Sequence, residues 1–382
     1  MRVKLNDFLN EITEKTTENN QYPVLTSSKS GLYLQNDYFN KQVASKDNTG
    51  YKIIHKGQFT YRAMSDTGEF FPNMLECVDA GIVSPAYPVF EITNKSIIIP
   101  DYLKFYFKSN AFQNSISSFA QGSTRTSVKF SKLKSVSIDL PNINEQYKSV
   151  DILNRLNNII LSRQEQIKKL DELVKSRFIE LFGDPETNPY GWEHVTVDDI
   201  CSSIVRGPFG SALKKEFFVE PSESTYKVYE QKHAIQKSAT IGTYYVTKEK
   251  YQELRRFECV SGDILMSCSG TMGELYQLPE NCERGIINQA LCKFTLNDKM
   301  LPICFLTYMK QTIGNLETKG SGIKNIAAVS YVKAMPINLP PMYIQKEFEN
   351  FVEQVDKSKL AVQQGLEKLE TLKKSLMQQY FG

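Results

Sequence analysis

The chain has 382 residues, of which 41% are hydrophobic and 23% are charged, and its formal net charge at pH 7 is +3. This length allows two or three domains with real cores, and the composition is that of an ordinary globular protein. No segment approaches the roughly 18 consecutive apolar residues of a membrane span, and the start lacks a signal-peptide apolar run. We therefore expect a cytoplasmic protein without membrane contact. Because the charge excess is small, any basic surface must be local.

The residue types that build metal or catalytic centres are scattered. The seven cysteines form no Cys-x-x-Cys pair, and the three histidines, His55, His194 and His233, lie far apart in sequence. We expect free thiols in a reducing compartment and no metal site. The sequence has no Walker A, Gly-x-Gly-x-x-Gly or Gly-x-Ser-x-Gly motif. This predicts a chain without a catalytic centre or a cofactor of its own.

The first segment, residues 1–141, mixes short β-rich runs with turn residues. Strands are predicted at Lys52–Ile54, Gln58–Tyr61 and Val89–Ile92, since glycine, asparagine and proline separate these runs. An apolar stripe of aromatic residues predicts a helix over Asp101–Phe112.

A long helix is predicted over residues 142–183, because apolar side chains recur there at helical spacing without an internal proline or glycine. Arg163 and Arg177 occupy two d positions of the heptad pattern, where each can lay its aliphatic stem along the seam and keep its guanidinium in water. The apolar a and d positions are Leu153, Leu156, Ile160, Ile167, Leu170, Val174 and Leu181.

The second half of the chain repeats the first. One constant shift of numbering carries Gln146 onto Gln345 and Phe182 onto Phe381 without a gap, which indicates an internal duplication. Residues 184–340 then form a second globular domain, and residues 341–382 form a second long helix. The predicted fold is α+β, with two similar globular domains and two long helices. The helices pack most simply antiparallel about a pseudo-two-fold axis, as a coiled coil.

Each long helix carries more apolar residues than a two-stranded seam uses, and an extra apolar face needs a cover. We expect this surface to dock helices from another chain or, alternatively, the globular domains of this one. The residues predicted for it are Ile152, Ile159, Leu173 and Phe178 in the first helix and Phe351, Leu372 and Met377 in the second.

Polar and basic side chains lie on predicted loops of both globular segments. Arginine can read guanine in the major groove and lysine neutralises phosphate, although any single one is more often a solvated surface charge. Two similar but divergent domains at a fixed separation suit two different short sites on one DNA duplex. The candidate DNA-binding residues are Arg62, Ser65, Arg125, Thr126 and Lys129 in the first segment and Arg206, Lys214, Lys215, Lys319, Lys324 and Asn325 in the second.

Several motifs, in their order along the whole chain, resemble the specificity subunit of type I restriction-modification enzymes. The family's Leu-Pro-x-x-x-Glu-Gln pattern is kept at Glu145-Gln146 but reads Ile344-Gln345 in the second copy. The motifs that carry the resemblance are Gly191–Glu193, Arg206–Ser211, Gly262–Leu265, Lys175–Gly183 and the Leu-Pro pairs that precede the two long helices.

The resemblance implies that each globular segment is a target recognition domain that reads one half of a bipartite DNA sequence. It also implies that the helices set the unread spacer and dock two adenine-N6 methyltransferase (M) subunits, which restriction (R) motor-nuclease subunits join. S-adenosylmethionine, ATP and Mg would then belong to those partners, and this chain would be non-catalytic. One alternative is a coiled-coil scaffold without sequence readout. Another is a fused methyltransferase chain, against which the missing cofactor motifs argue.

Overall fold

The structure is a computed structural model that describes residues 1–38, 45–119, 126–269, 271–318 and 329–382. Its internal contacts divide the chain into two compact units. Unit 1 comprises Met1–Glu165 and Gln363–Gly382, and unit 2 comprises Gln166–Val362. Each unit therefore contains one globular domain together with a segment of each long helix.

The first globular domain combines short strands with short helices. Its helices are α1 (Gln35–Tyr38), α2 (Pro100–Tyr106), α3 (Asn110–Ser117) and α4 (Phe130–Lys134), and the first long helix, α5 (Ile143–Phe182), follows. Its strands are β1 (Arg2–Lys4), β2 (Leu9–Ile12), β3 (Leu25–Ser27), β4 (Leu32–Leu34), β5 (Lys52–His55), β6 (Phe59–Thr60), β7 (Met64–Ser65), β8 (Asn73–Met74), β9 (Ala80–Val83), β10 (Val89–Ile92), β11 (Thr126–Ser127) and β12 (Ser137–Asp139).

The second globular domain is built from the same kinds of element. Its helices are α6 (Gln231–Ile235), α7 (Lys248–Glu253), α8 (Pro302–Thr318) and α9 (Val329–Lys333), and the second long helix, α10 (Met342–Phe381), follows. Its strands are β13 (Glu193–Thr196), β14 (Cys201–Arg206), β15 (Tyr226–Tyr229), β16 (Tyr245–Val246), β17 (Glu258–Cys259), β18 (Ile264–Ser267), β19 (Leu275–Gln277), β20 (Gly285–Ile287), β21 (Leu291–Leu296) and β22 (Pro336–Leu339).

The central sheets of the two domains have the same arrangement of strands. The strand order is β2-β10-β6-β8 in the first and β14-β21-β18-β19 in the second, and all pairs are antiparallel. The strand that opens each domain pairs with the strand that precedes its long helix, with Val3 opposite Ile138 and Val195 opposite Ile337. The predicted α+β fold with an internal repeat is confirmed.

The turn before β6 and β18 keeps its shape with different side chains. In the first domain the Gln58 side chain accepts the His55 N–H (2.9 Å) and donates to Glu91 (3.2 Å). In the second, Asp263 accepts the Val260 N–H (2.9 Å) and a hydrogen bond from the Thr295 hydroxyl. The cross-strand donor is the turn residue in the first domain and the residue of the neighbouring strand in the second. The hydrogen-bonding groups of the turn are therefore satisfied in both copies.

A buried glutamine ties each long helix to its domain. The Gln146 side chain accepts the Ile99 N–H (3.1 Å) and donates to the carbonyl oxygens of Ile97 (2.8 Å) and Pro141 (3.0 Å). The Gln345 side chain makes the same three bonds, accepting from Leu301 and donating to Lys299 and Pro340, each at 2.9 Å. Because both glutamines are fully buried, these bonds are shielded from water.

Within unit 2 the two long helices run antiparallel. Asp171 of α5 lies 2.6 Å from Lys359 of α10, whereas Arg177, which is later in α5, pairs with Glu347, which is earlier in α10. Arg177 also lies over the Phe351 ring at 5.9 Å, so its stem follows the helix pair while its guanidinium forms ion pairs.

The C-terminal turn of each long helix completes a domain core. In unit 1, Phe381 packs against Tyr102, with ring centroids 4.9 Å apart. In unit 2, Phe182, which the repeat relates to Phe381, packs against Phe348 at 5.6 Å. Each core therefore contains the end of the long helix that belongs to the other half of the repeat.

The helix predicted over Asp101–Phe112 is two helices. Ser109 adopts an extended backbone, and its hydroxyl accepts the Phe112 N–H at 3.2 Å, which caps α3 and separates it from α2. The aromatic stripe is nevertheless buried, because Tyr106, Phe107 and Phe112 pack together across the break.

Replacing Gln146 by alanine should lower the free energy of unfolding by about 3 kcal/mol, because the buried Ile99 N–H and two carbonyl oxygens lose their partner. Gln345→Ala should cost a similar amount. Urea unfolding of the whole chain measures both. Gln364→Ala, at an exposed position of α10, is the control and should change stability by less than about 0.5 kcal/mol. Equal losses for Gln146→Ala and Gln364→Ala would contradict the role of the buried glutamines.

Candidate nucleic-acid interface

The strand order brings three chain segments to one edge of each central sheet. Because the strands are antiparallel, the C-terminal ends of β2 and β6 lie beside the start of β10, with Ile12 and Thr60 both opposite Val89. In the second domain the ends of β14 and β18 flank the start of β21 in the same way. Two of the predicted DNA-binding residues lie here, since Arg62 follows β6 and Arg206 ends β14.

The first edge gathers several predicted residues. Ser65 and Thr126 face each other in the β7·β11 ladder, and the Thr126 hydroxyl donates to the Ser65 carbonyl oxygen at 3.1 Å. The Arg62 guanidinium lies 3.6 Å from the Asp66 carboxylate, which balances its charge. Lys129 is exposed just before α4. Arg125, which completes this part of the prediction, lies outside the described residues.

The second edge is braced by hydrogen bonds between loops. The Gly207 N–H donates to the Leu291 carbonyl oxygen (3.0 Å), and the Cys268 N–H donates to that of Ala290 (2.8 Å). The glycine is required here, since a Cβ at Gly207 would lie 1.9 Å from the Asn288 carbonyl oxygen. The Arg206 guanidinium carbon lies 5.3 Å from the centre of the Phe209 ring.

Gln231, at the start of α6, joins this edge to the loop after β18. Its side-chain amide donates to the carbonyl oxygens of Ser269 and Thr271. The Ser267 hydroxyl donates to the Thr271 carbonyl oxygen (2.6 Å) and accepts the Glu274 N–H (2.9 Å). The loops after β15 and β18 are therefore bonded directly to each other, and the turn at Asn288–Leu291 connects both to Gly207 after β14.

Two further predicted DNA-binding residues of the second domain do not join these hydrogen-bonded loops. Lys214 and Lys215 are exposed, and the Lys214 ammonium lies 3.6 Å from Glu216. Lys319, Lys324 and Asn325 lie outside the described residues. Sequence reasoning missed Phe209 and Gln231 as site residues. Phe209 lies in the Arg206–Ser211 motif, but its 66% exposure depends on loop geometry.

His233 fixes the turn of α6 that presents Gln231. Its Nδ1 accepts the Glu230 N–H at 2.8 Å, and its Nε2–H donates to the Ile241 carbonyl oxygen at 2.7 Å. This assignment places the proton of the neutral imidazole on Nε2. Burial lowers the pKa of His233 below its usual value, since charge on the ring loses hydration.

The predicted partner surface is exposed in part. Leu173 and Leu372 occupy matching positions of the repeat and are 47% and 49% exposed, and Ile159 is also exposed. Ile152, Phe351 and Met377 are half-buried. Phe178 must be removed from this surface, because its ring is fully buried against Phe182, Tyr308 and Phe348 in the core of unit 2.

A groove lies between the long helices and the domain in each unit. Its volume is about 640 Å³ in unit 1 and about 1200 Å³ in unit 2. Lys108 occupies the position in unit 1 that Lys310 occupies in unit 2. Burial, Lys104 and Lys373 lower the pKa of Lys108. The positions at which both grooves carry the same kind of charge are Lys108 and Lys310, Lys374 and Lys175, and Glu370 and Asp171.

Across the described ranges, no group of three or more histidine, cysteine or acidic side chains is placed to hold a metal ion. None of the helices in the described part of the chain is long and apolar enough to span a membrane. All seven cysteines are free thiols.

Acidification should weaken the second domain through His233. Its pKa is lowered in the folded state, so the unfolded chain binds the proton more tightly. The contribution of this group is therefore present above the unfolded pKa of about 6.5 and is lost as pH falls below it. Urea unfolding between about pH 7.5 and 5.5 should show a smaller loss for His233→Gln than for the unmodified chain. Identical losses would contradict a buried neutral imidazole.

Residues 3–172 and 189–373 match the family model described as type I restriction modification DNA specificity domain. The type I restriction enzyme MjaIX specificity subunit of Methanocaldococcus jannaschii is 23% identical over 292 residues, which cover 69% of this chain and 63% of that protein. The HindI specificity subunit of Haemophilus influenzae is 24% identical over 170 residues, 43% of this chain and 37% of that protein. Each match thus spans less than two thirds of the relative.

Two solved structures share the fold. One, from work on complex assembly and conformational transition of the type I R-M system, has a TM-score of 0.64 at 18% identity and covers 99% of this chain and 96% of that chain. The type I restriction-modification S subunit from M. genitalium has a TM-score of 0.53 at 14% identity and covers 100% and 96%. At such identities the likeness concerns the fold alone.

Proposed function

Because this chain belongs to the family of type I restriction-modification DNA specificity domains, we propose that it is the specificity subunit that selects the DNA target of a methyltransferase–nuclease complex. Residues 1–141 and 184–340 act as target recognition domains, and each reads one half of a bipartite sequence. Residues 142–183 and 341–382 form the helices that set the unread spacer.

The observation that carries this proposal is one sheet frame used twice with different side chains at the same edge. Arg62, Ser65 and Thr126 gather at the first edge, whereas Arg206 and Phe209 gather at the second. A repeated frame gives both domains the same way of approaching a duplex. Different side chains give each domain its own sequence preference, since base edges in the major groove differ in donors and acceptors.

The partners in this proposal are double-stranded DNA, two M subunits and R subunits. Leu173 and Leu372 are exposed at matching positions, as are Leu161 and Leu360, so the chain offers two similar apolar surfaces. Two similar surfaces suit two copies of one partner. The half-buried Ile152, Phe351 and Met377 lie on the same two helices.

In this proposal the chain is non-catalytic and carries no cofactor. S-adenosylmethionine belongs to the M subunits, and ATP and Mg belong to the R subunits. The complex acts on DNA in the cytoplasm. The second candidate function is that of a scaffold that does not read DNA sequence. The apolar helix surfaces alone would be sufficient for that function. The edges distinguish the two functions, because a scaffold has no use for different side chains at the same edge of the repeated sheet.

Adenine-methylation mapping tests the proposal directly. DNA from cells that express this chain with its M subunit should carry methyl groups at a split motif with a fixed spacer. M subunit expressed alone is the control. An assembled complex that produces no new methylation, or methylation without a sequence motif, would favour the scaffold function.

Docking of the M subunits should depend on the exposed leucines. Leu173→Asp and Leu372→Asp each place a charge on an apolar surface, so each should remove about half of the M subunit from the complex, and the double variant should remove nearly all of it. Analytical ultracentrifugation measures the stoichiometry. Lys168→Asp, at an exposed position of α5, is the charge control. Full assembly by the double variant would rule out this surface.

A further inference from the structure

We propose that Arg206 and Phe209 form a base-reading pair in the second recognition domain, with Arg206 donating to a guanine edge and Phe209 packing against the adjoining base. This inference rests on the proposed function and deepens it, because it names two specificity-determining residues of one half-site. Three features of the second domain support the pair: a backbone held in place at Gly207, an arginine with unpartnered nitrogens and an exposed aromatic ring beside it.

The loop that carries the pair is held in place before DNA arrives. The Gly207 N–H is bonded to the Leu291 carbonyl oxygen, and the Gly207 Cα fits against the Asn288 backbone, where a Cβ would clash. The Asn288 N–H in turn donates to the Tyr229 carbonyl oxygen at 3.0 Å. A backbone that is already fixed loses little conformational entropy on binding.

The Arg206 guanidinium has hydrogen-bonding capacity that the protein does not use. Its Nε and Nη1 atoms are shielded from solvent and have no hydrogen-bond partner. A buried donor without an acceptor destabilises the folded protein, because it has lost its bonds to water. An acceptor pair such as O6 and N7 of guanine would relieve this cost, since the guanidinium offers a matching fork of N–H groups.

The Phe209 ring covers Arg206 but is itself little packed. It lies 5.3 Å from the guanidinium carbon and is 66% exposed. An exposed side chain changes rotamer within nanoseconds, so the ring can turn aside and uncover the guanidinium. Once turned, the ring presents an apolar surface to a neighbouring base, for which the thymine methyl group is a typical partner.

The surroundings favour a base over a phosphate. Arg206 lies opposite Cys292 in the β14·β21 ladder, and its charge acts on the buried thiols of Cys268 and Cys292. On α6, the Lys232 ammonium is already paired with Glu230 at 2.6 Å. A phosphate is usually bound by several cations or backbone N–H groups, and an apolar ring gives it no interaction. In the first domain, β2 is followed by Thr13 and Glu14 instead, which suits a different half-site.

The test uses the complete complex with its M subunits and maps methylation for Arg206→Lys, Phe209→Ala and Phe209→Leu. Arg206→Lys keeps the charge but loses the fork, so methylation at one guanine position of the second half-site should lose selectivity by about tenfold. Phe209→Ala should reduce selectivity at the neighbouring position, and Phe209→Leu should restore part of it. The first half-site and the spacer should stay as they are.

Two exposed residues of the same unit supply matched controls, Arg256→Lys and Tyr343→Ala. A bipartite motif for the unmodified chain establishes the proposed function independently of the pair. Against that background, an unchanged second half-site in the folded variants would overturn the inference. So would uniformly weaker binding with an unchanged motif and a shallower salt dependence for Arg206→Ala, because that result identifies a phosphate contact.

Discussion

The buried glutamine at the start of each long helix is the constraint on which the arrangement of each half depends. Gln146 and Gln345 fix one helical turn against the loop before α2 or α8 and against the proline that precedes the helix. Because helix geometry relates each later residue to the anchored turn, the same anchor gives the two helices matching faces. The exposed leucines accordingly lie at matching positions of the repeat.

Within the domains, too, the backbone arrangement is repeated while the side chains differ. At the turn before β6 and β18, Gln58 and Asp263 accept backbone N–H groups at equivalent positions, while their cross-strand partners differ. The strand order of the central sheet is likewise retained, and the edge side chains change. Interactions that hold the backbone are thus kept in both copies, whereas the side chains available to a ligand diverge. Such a division allows the surface to vary without loss of the fold.

Features carried by long periodic patterns could be predicted from sequence. The helices at Ile143–Phe182 and Met342–Phe381 agree with the prediction because their periodicity extends over many turns. The burial of Phe178 could not be predicted, since which helix face a domain covers depends on tertiary packing. The break at Ser109 was missed because a local cap outweighed an apolar stripe. At the second edge Gln231 bonds to Ser269 from a separate loop and Arg206 ends β14, and no local pattern in the sequence connects these segments.

The exchange of helix ends sets an order of events during synthesis. Phe381 packs against Tyr102, so the first domain to be translated completes its core only when the end of the second long helix has left the ribosome. Domains usually fold as they emerge, N-terminal first. Here the earliest domain stays open beside Tyr102 and Tyr106 until the later one has been made. A chain cut short by even its final helical turn therefore exposes aromatic surface, which marks it for chaperones and proteases.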